Sequence, residues 1–278
     1  MNGQEWQKQA AERLERAGCS DALFDARCLL EDIGGLPRGG EAKRHVLPRE
    51  REEALSLALC EREKGRPLQY ILGKWDFLSL TLAVGEGVLI PRPETELLCE
   101  TAARLLADTA APQVLDLCAG SGCVGLGVAS LKPDVSVTAL ELSEEALVFL
   151  RRNCETYAKY DVTVKQADVL KGAPANGVLY DAILSNPPYI PTVELAGLQR
   201  EVQREPRMAL DGQEDGLLFY RAICERWLSC LKPHGFAAVE VGYDQAEIVA
   251  RMFTQYGLSC VTVEKDFADI GRVVWGRK

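Results

Sequence analysis

Apolar residues recur at helical spacing in the N-terminal part of the chain. Trp6, Ala10 and Leu14 lie four residues apart, which predicts that they share one face of a first helix. Asp21 is in position to cap a second helix, and Pro48 is in position to open a third. The pattern therefore predicts a small helical bundle.

The pattern changes from helical to extended beyond this bundle. Residues 75–82 are typical of an extended strand, 85–87 of a turn and 88–90 of a returning strand, which together predict a β-hairpin. Pro91 and Pro93 then stiffen the entry into another helix. We expect three parts, whose bounds are 1–73 for a helical domain, 74–93 for a β-hairpin linker and 94–278 for an α/β domain.

Strands and helices alternate through the last part, which predicts a mainly parallel sheet with helices on both faces. The predicted strands are 114–117, 137–140, 162–165, 182–184, 236–241, 259–263 and 272–275. The last two leave no room for a helix between them, so we expect an antiparallel hairpin at the sheet edge. This α/β pattern matches the Rossmann-like, seven-stranded sheet of class I methyltransferases better than the six-stranded sheet of dehydrogenases.

Composition narrows the function classes further. The chain has 278 residues and a net charge of −9, which argues against a broad surface for nucleic-acid phosphates. No stretch approaches 18 uncharged apolar residues, and the N-terminus lacks the pattern of a signal peptide, so we expect a cytoplasmic protein without membrane attachment. The ten cysteines form no Cys-x-x-Cys pair and only two histidines occur, so we expect no metal site.

A first candidate site follows the strand at 114–117. The strand runs into a turn of small residues, where Gly120 and Gly122 let backbone N–H groups approach a ligand before a helix begins. The glycine spacing alone is also compatible with a dinucleotide site. Asp116 favours a different ligand, because a carboxylate repels a pyrophosphate but suits the ammonium and sulfonium charges of S-adenosylmethionine.

Acidic residues also end the next two strands. Glu141 is placed to accept both ribose hydroxyls of the cofactor, and Asp168 to accept a hydrogen bond from the adenine amino group, with Val169 against the ring. Each acid alone is more often a helix cap or a solvated residue, but polar residues at successive strand ends predict one site. The predicted cofactor-binding residues are Asp116, Cys118, Ala119, Gly120, Ser121, Gly122, Glu141, Asp168, Val169 and Asn186.

A second candidate site follows the fourth predicted strand, in the sequence Asn186-Pro187-Pro188-Tyr189. Two prolines cannot continue a sheet, so they hold a side-chain amide, stiff carbonyls and an aromatic ring at the strand end. Ligands of open α/β sheets bind at that end. The alternative interpretation is a simple exit from the strand with a proline stop.

These motifs resemble those of the protein-(glutamine-N5) methyltransferases that modify class 1 peptide chain release factors. The resemblance covers nearly the whole chain. It is carried by the segments 66–73, 89–96, 116–122, 186–190, 205–210, 215–217, 240–242 and 269–272. Asn-Pro-Pro-Tyr is shared with enzymes that methylate adenine or guanine, whereas Ile-Pro-Arg-Pro-Glu-Thr-Glu at 90–96 is much narrower in distribution.

The resemblance implies an S-adenosylmethionine-dependent enzyme that yields S-adenosylhomocysteine and methylates the glutamine of a Gly-Gly-Gln motif. It also implies that the helical domain helps to dock the release factor. The family usually has Gly-Thr or Gly-Cys where this chain has Cys118-Ala119. We expect Ala119 still to present its backbone N–H if its φ is permitted. We expect a monomer that binds no nucleic acid stably.

The expected mechanism uses the acceptor motif. The Asn186 side-chain oxygen and the Pro187 carbonyl accept the two N–H hydrogens of the glutamine amide, which leaves its lone pair aimed at the methyl group. Tyr189 packs against the acceptor and the sulfonium. The expected catalytic residues are Asn186, Pro187 and Tyr189, and Pro188 joins them in binding the substrate.

Three other functions remain open at this point. A nucleic-acid amino-methyltransferase would use the same motif on a flipped base, but it would need a basic surface, which the net charge of −9 does not favour. A non-catalytic cofactor-binding protein would be favoured by a damaged acceptor motif, which is intact here. A dehydrogenase is disfavoured by Asp116 and by the seven-strand pattern.

Overall fold

A computed structural model describes residues 2–37, 46–172 and 177–278. The chain is divided into two compact units. The first unit comprises Met1–Lys74 and Gln199–Arg204, and the second comprises Trp75–Leu198 and Glu205–Lys278. The sequence pattern places the end of the first stretch at residue 73, and the predicted domain bounds stay predictions. The pattern gives no sign that six residues from the α/β part of the chain join the helical unit.

The first unit is helical. Its helices are α1 (Gly3–Arg16), α2 (Ala22–Asp32), α3 (Arg49–Glu63) and α4 (Leu68–Leu72). Asn2 caps α1 by accepting the Glu5 N–H at 2.8 Å, and the Glu5 side chain bonds back to the Asn2 N–H. Asp21 precedes α2 as expected but makes no side-chain capping bond. The sequence also has a mild basic cluster, made of Lys43, Arg44, Arg49 and Arg51, and its first two residues lie outside the described residues.

A buried ion cluster lies inside this unit. Arg62 of α3 bonds Asp25 of α2 at 2.6 Å and Glu201 at 2.9 Å, and the Arg62 and Asp25 side chains are each 6% exposed. Burial raises the pKa of Asp25, although Arg62 opposes the shift. Because neither charge reaches water easily, each depends on its partner. This cluster joins the segment Gln199–Arg204 to α2 and α3, and the Arg200 side chain adds a bond to the Glu63 carbonyl at 3.0 Å.

The hairpin of the second unit differs from its prediction. Strands β1 (Lys74–Phe77) and β2 (Leu80–Ala83) pair with each other, so the turn of the hairpin is at Leu78. The turn predicted at 85–87 does form, with the Val88 N–H donating to the Gly85 carbonyl at 3.3 Å, but it lies outside the hairpin. Leu78 has a φ of 51°, and its N–H donates to Glu96 at 2.8 Å, which fixes the turn. The prediction of a strand at 88–90 is wrong, because Val88 instead packs into a small apolar cluster beside the hairpin.

The rest of the second unit is a seven-stranded sheet with the strand order β5-β4-β3-β6-β7-β9-β8. The strands are β3 (Gln113–Leu117), β4 (Ser136–Glu141), β5 (Asp161–Gln166), β6 (Tyr180–Ser185), β7 (Leu231–Glu240), β8 (Ser259–Lys265) and β9 (Gly271–Arg277). β3 to β7 are parallel, and β9 is antiparallel to both β7 and β8. The predicted sheet and its antiparallel ending are confirmed.

Helices cover both faces of this sheet. They are α5 (Pro93–Leu105), α6 (Cys123–Leu131), α7 (Glu144–Thr156), α8 (Leu218–Arg226) and α9 (Ala246–Gln255). One core cluster joins the hairpin, α5 and α6 to the sheet, and another joins α8 and α9 to its other side. Alternate residues of each strand supply the two cores, as the period of a strand requires. Among the described residues, no helix is long and apolar enough to cross a membrane.

Replacing Arg62 tests the buried ion cluster. Arg62→Met leaves Asp25 and Glu201 without their cation, and we expect a loss of about 3–5 kcal/mol in the free energy of unfolding. Arg13 pairs with Glu63 at 2.7 Å, but the two side chains are 40% and 26% exposed. Arg13→Met is therefore the control, and we expect it to cost less than about 1 kcal/mol. Urea unfolding measures both, and equal losses would contradict the assigned importance of burial.

Candidate active site

A cavity of about 450 Å³ opens beside the carboxyl ends of β3, β4 and β6 in the second unit. This size is ordinary for a small-molecule site. Its wall contains most of the residues predicted for the two candidate sites, namely Cys118, Ala119, Gly120, Ser121, Glu141, Asp168, Val169, Asn186 and Pro188. The described residues that form this wall do not include Asp116, Gly122, Pro187 or Tyr189. The interactions proposed for all of these residues with bound molecules stay predictions.

The loop after β3 is shaped differently from its prediction. Cys118, Gly120 and Gly122 have left-handed φ values of 61°, 55° and 84°, whereas the φ of Ala119 is not positive and is therefore permitted. The Ala119 N–H donates to the Leu140 carbonyl at 2.9 Å and the Gly122 N–H to the Ala119 carbonyl at 2.8 Å. The expectation that these two N–H groups face a ligand is therefore wrong, because neighbouring strand and loop carbonyls bind them.

Glu141 holds this loop against the end of β4. Its Oε2 accepts the Gly120 N–H, and its Oε1 accepts the Leu142 and Ser143 N–H groups, each at 2.8 Å. A carboxylate offers about four lone-pair positions, so roughly one remains for a ligand. Glu141 lies in the cavity wall, and its role in binding the cofactor stays a prediction. Because Oε1 already accepts two N–H groups and Oε2 only one, these bonds leave room for one ribose hydroxyl on Oε2, whereas both ribose hydroxyls were expected to bind Glu141.

Asp116 lies beneath the loop with its side chain fully buried. Its Oδ2 accepts the Gly125 N–H at 2.9 Å, which satisfies a donor in the first turn of α6. Its Oδ1 has no partner among the described residues. Burial raises the pKa of Asp116 to about 7, and the charge of Glu141 adds to the shift. The carboxylate thus carries an unused, buried acceptor near the loop.

Asp168 caps a short 3₁₀ helix, Val169–Lys171, by accepting the Leu170 N–H at 2.9 Å. The same side chain is the one expected to meet the adenine amino group, and it lies in the cavity wall. Val169 is buried beside it, and its carbonyl accepts the Trp227 indole N–H at 2.9 Å. The position of Val169 is therefore fixed by α8 and the residues that follow it.

The acceptor motif is tied down at both ends. The Asn186 side-chain amide donates to the Thr95 hydroxyl at 3.1 Å, so its oxygen is the atom left for a ligand. The Tyr189 hydroxyl donates to Glu240 at 3.4 Å, and the Tyr189 carbonyl accepts from Gln245 at 2.9 Å. Gly216 lies so close that a Cβ there would approach the Tyr189 carbonyl oxygen to 2.3 Å.

Thr95 and Glu240 are site residues that our sequence interpretation missed. Both side chains are buried, and Thr95 lies in the cavity wall. Glu240 ends β7, so the rule that selected Asp116 and Glu141 at earlier strand ends could have found it. The clue to Thr95 is its place in the narrow motif at 90–96, although the motif alone says nothing of its bond with Asn186.

The sheet order and the position of the cavity define a class I methyltransferase. A family model for the Methyltransferase small domain matches residues 94–205, and one for the PrmC N-terminal domain matches residues 5–73. The release factor glutamine methyltransferase of Geobacter sulfurreducens is 40% identical over 270 residues, which cover 95% of this chain and 92% of the relative. That of Caulobacter vibrioides is 36% identical, covering 97% and 94%.

The chain belongs to the family of release factor glutamine methyltransferases. Among solved structures, the catalytic domain of hMettl16 bound to an RNA hairpin has a TM-score of 0.59 at 14% identity and 88% coverage of both chains, which shows the fold alone. A release factor-specific protein-(glutamine-N5) methyltransferase from Alicyclobacillus acidocaldarius is 30% identical, with a TM-score of 0.43. The match covers 70% of this chain and 98% of the Alicyclobacillus chain.

S-adenosylmethionine is the methyl donor of this family, and the residues at the cavity fit it. The wall supplies the carboxylates of Glu141 and Asp168, as well as that of Asp211. It also supplies the buried Ser121 hydroxyl, which has no hydrogen-bond partner among the described residues. Val169 and Leu140 add apolar surface for a flat ring. When bound, the sulfonium supplies an activated methyl group. The chain's own residues have only to hold the donor and the acceptor in line.

The buried carboxyl of Asp116 predicts a trade between stability and function. Its folded-state pKa of about 7 lies above the usual value of 3.8, so the charged form opposes folding increasingly as the pH rises from about 4 to 7. We expect Asp116→Asn to stabilise the cofactor-free protein at pH 8 by a few kcal/mol and to flatten its stability between pH 5 and 8.

Thermal unfolding at several pH values measures this effect, and calorimetry measures cofactor affinity. Asp134→Asn is the control, because Asp134 is exposed and its pKa is lowered by Lys132. A variant of Asp116 that is less stable than the wild type at pH 8 would show that the charge stabilises the loop, contrary to our assignment.

Proposed function

We propose that this chain transfers a methyl group from S-adenosylmethionine to the side-chain amide nitrogen of the glutamine in the Gly-Gly-Gln motif of class 1 peptide chain release factors, and so supports translation termination. The observation that carries the proposal is the orientation of Asn186, whose amide nitrogen is bound to Thr95 and whose oxygen is left to accept. The names of the relatives support the same substrate.

The acceptor chemistry explains why an oxygen is needed there. The nitrogen of a glutamine amide is a poor nucleophile, because its lone pair is delocalised into the carbonyl. An acceptor for each N–H hydrogen holds the amide in place and favours the geometry in which the lone pair points to the methyl group. We assign one hydrogen to the Asn186 oxygen and the other to the Pro187 carbonyl. Pro187 and Pro188 are both buried, which restricts their movement.

The remaining assignments follow from the same proposal. Residues 1–73 act as a docking domain for the release factor, and Tyr189 packs near the acceptor, although its hydroxyl points to Glu240. Asp116, with its free buried oxygen, favours the positive end of the donor. We further propose that the protein acts in the cytoplasm as a monomer and binds neither membranes nor nucleic acid stably.

A labelled-methyl assay tests the proposed substrate. The full-length protein is mixed with labelled S-adenosylmethionine and an intact release factor, and we expect label on the release factor. A release factor whose acceptor glutamine is changed to alanine should take up no label. Label that persists on that control would rule out this substrate, and label on added RNA instead would favour the rival acceptor class.

Replacing Asn186 tests its assigned role. Asn186→Ala removes one of two acceptors, and we expect a loss of at least about 100-fold in kcat, by analogy with the removal of one hydrogen-bonding group from a transition-state site. The affinity for S-adenosylmethionine should stay within roughly threefold, because the assigned partner of Asn186 is the acceptor amide. Calorimetry measures the affinity, and its collapse together with kcat would refute the separation of the two roles.

A further inference from the structure

The two prolines of the acceptor motif leave its backbone with few hydrogen-bond donors. Pro187 and Pro188 have no N–H, so the middle of the motif cannot be fixed by N–H bonds of its own. Its position depends on how its two ends are held. On the N-terminal side, Ser185 of β6 pairs with β3 and with β7. The C-terminal end lies beyond the sheet and needs a separate anchor.

Gln245 supplies this anchor. Its side-chain Nε2 donates to the Tyr189 carbonyl at 2.9 Å, and its Oε1 accepts the Gly242 N–H at 3.0 Å. The Nε2 also lies 3.5 Å from the Gly216 carbonyl oxygen, at the limit of a hydrogen bond. Because Gln245 is only 7% exposed, water cannot easily replace these partners. The acceptor motif is therefore held at Tyr189 by a buried amide from the start of α9.

The orientation of the Gln245 amide is fixed by backbone groups on both sides. A backbone N–H can only donate, and a backbone carbonyl can only accept. The end that faces the Gly242 N–H must therefore be the oxygen, and the end that faces the Tyr189 carbonyl must be the NH₂ group. Rotation of the amide by 180° would place two donors together and two acceptors together. The bond to Tyr189 thus has one direction, whatever the protonation of nearby side chains.

The place of Gln245 in the fold supports a role outside its own helix. It occupies the N-cap position of α9, where Ser, Thr, Asp and Asn are preferred because their short side chains bond to the first turn. The Gln245 side chain makes no such bond within the described part of the chain. A Cβ on Gly242 would approach Oε1 to 2.9 Å, and one on Gly216 would approach Nε2 to 2.6 Å. The amide is enclosed between these two glycines, and its NH₂ group is directed to Tyr189.

We propose that Gln245 is a positioning residue, which holds the Tyr189 carbonyl and so keeps Asn186 and Pro187 in place against the acceptor amide. This inference rests on the proposed methyl transfer and adds a residue that acts through the acceptor motif. Gln245 is not among the described residues of the cavity wall, so it acts at a distance from the reacting atoms. The two prolines fix their φ and make the intervening segment stiff, so a displacement of Tyr189 is passed on to Pro187.

Gln245→Met and Val249→Ala form the central test. Methionine is similar to glutamine in length but cannot donate to the Tyr189 carbonyl, and we expect kcat for a release factor to fall by about 10-fold to 100-fold. The Kd for S-adenosylmethionine and the KM for the release factor should stay within roughly threefold, because the groups that bind them remain.

Val249→Ala is the matched control. Val249 is fully buried one turn further along α9, and its truncation removes apolar contacts in the core without touching the bonds of Gln245. We expect its kcat to lie within roughly threefold of the wild type, although thermal unfolding should show a clear loss of stability. Equal losses of kcat in the two variants would show that Gln245 contributes only stability, contrary to the proposal.

Gln245→Glu adds a readout that depends on pH. An ionised carboxylate still accepts the Gly242 N–H but has no hydrogen for the Tyr189 carbonyl, whereas a protonated carboxyl can donate one. We therefore expect the ratio of variant to wild-type kcat to fall by at least about tenfold as the pH rises through the pKa of the new carboxyl, and the ratio for Gln245→Met to stay level. A ratio for Gln245→Glu near one at every pH would overturn the proposal.

The other titratable groups near this segment are common to all these proteins, so the ratio to the wild type removes their effect. Asp244 and Glu247 lie next to Gln245 along the chain. The charges that act on Tyr189 and Tyr220 are those of Arg92, Glu94, Glu240 and Arg272.

A spectroscopic readout keeps the test independent of the substrate. In protein labelled with ¹³C and ¹⁵N, we expect the Tyr189 carbonyl signal to move upfield in Gln245→Met, where its hydrogen bond is lost, and to stay near its wild-type position in Val249→Ala. If the wild type methylates no release factor, the proposed function fails, while this signal still decides whether Gln245 holds the segment. If transfer occurs and the Tyr189 signal is unchanged in Gln245→Met, the positioning role is refuted.

Discussion

The loops and helix N-termini at the carboxyl edge of a parallel sheet have backbone N–H groups that need hydrogen-bond acceptors where water is excluded. This constraint organises the second unit. Asp116 and Glu141, near the ends of adjacent strands, meet this need. Glu141 accepts N–H groups from the loop after β3 and from the residues after β4, and Asp116 accepts one from the first turn of α6. The cavity wall is consequently built on backbone held by buried or nearly buried carboxylates. Such a wall keeps its shape because an N–H group that lost its carboxylate acceptor would be left without a hydrogen bond and poorly solvated, which costs free energy.

The buried carboxylates affect folding stability and cofactor binding in opposite directions. A buried carboxylate without a cation weakens folding, as the raised pKa of Asp116 indicates. In the proposed function, the carboxylate of Asp116 also provides the negative charge that a positively charged cofactor needs. The fold therefore keeps a group that is costly in the empty protein, a common feature of functional sites. Glu240, which accepts the Tyr189 hydroxyl, is likewise buried, and burial raises its pKa to about 7.

Much of the α/β fold can be predicted because strand periodicity and strand-end polarity are local signals. The seven strands and the residues that end β3, β4 and β6 are read directly from short stretches of sequence. The predicted position of the hairpin turn is wrong because the turn lies at Leu78, an apolar residue with a positive φ that no turn rule selects. It depends on a long-range bond from Leu78 to Glu96, which sequence spacing does not reveal.

The site shows the same division. The sequence indicates which polar residues reach the edge of the sheet, but it does not indicate their partners. Thr95 is 91 residues from Asn186, and Glu240 is 51 residues from Tyr189, so their hydrogen bonds exist only once the sheet has formed. The loop after β3 also differs from its prediction, because the N–H groups of Ala119 and Gly122 are bound by carbonyls of Leu140 and Ala119.

The segment Gln199–Arg204 limits how the protein can be divided into separately expressed fragments. Because these six residues belong to the helical unit, the polypeptide passes from one unit to the other three times, at 74/75, 198/199 and 204/205. A fragment cut after residue 73 would include Arg62 and Asp25 but lose Glu201, the second carboxylate of their cluster. An isolated helical domain that keeps all its native partners would need residues 199–204 grafted back through a linker.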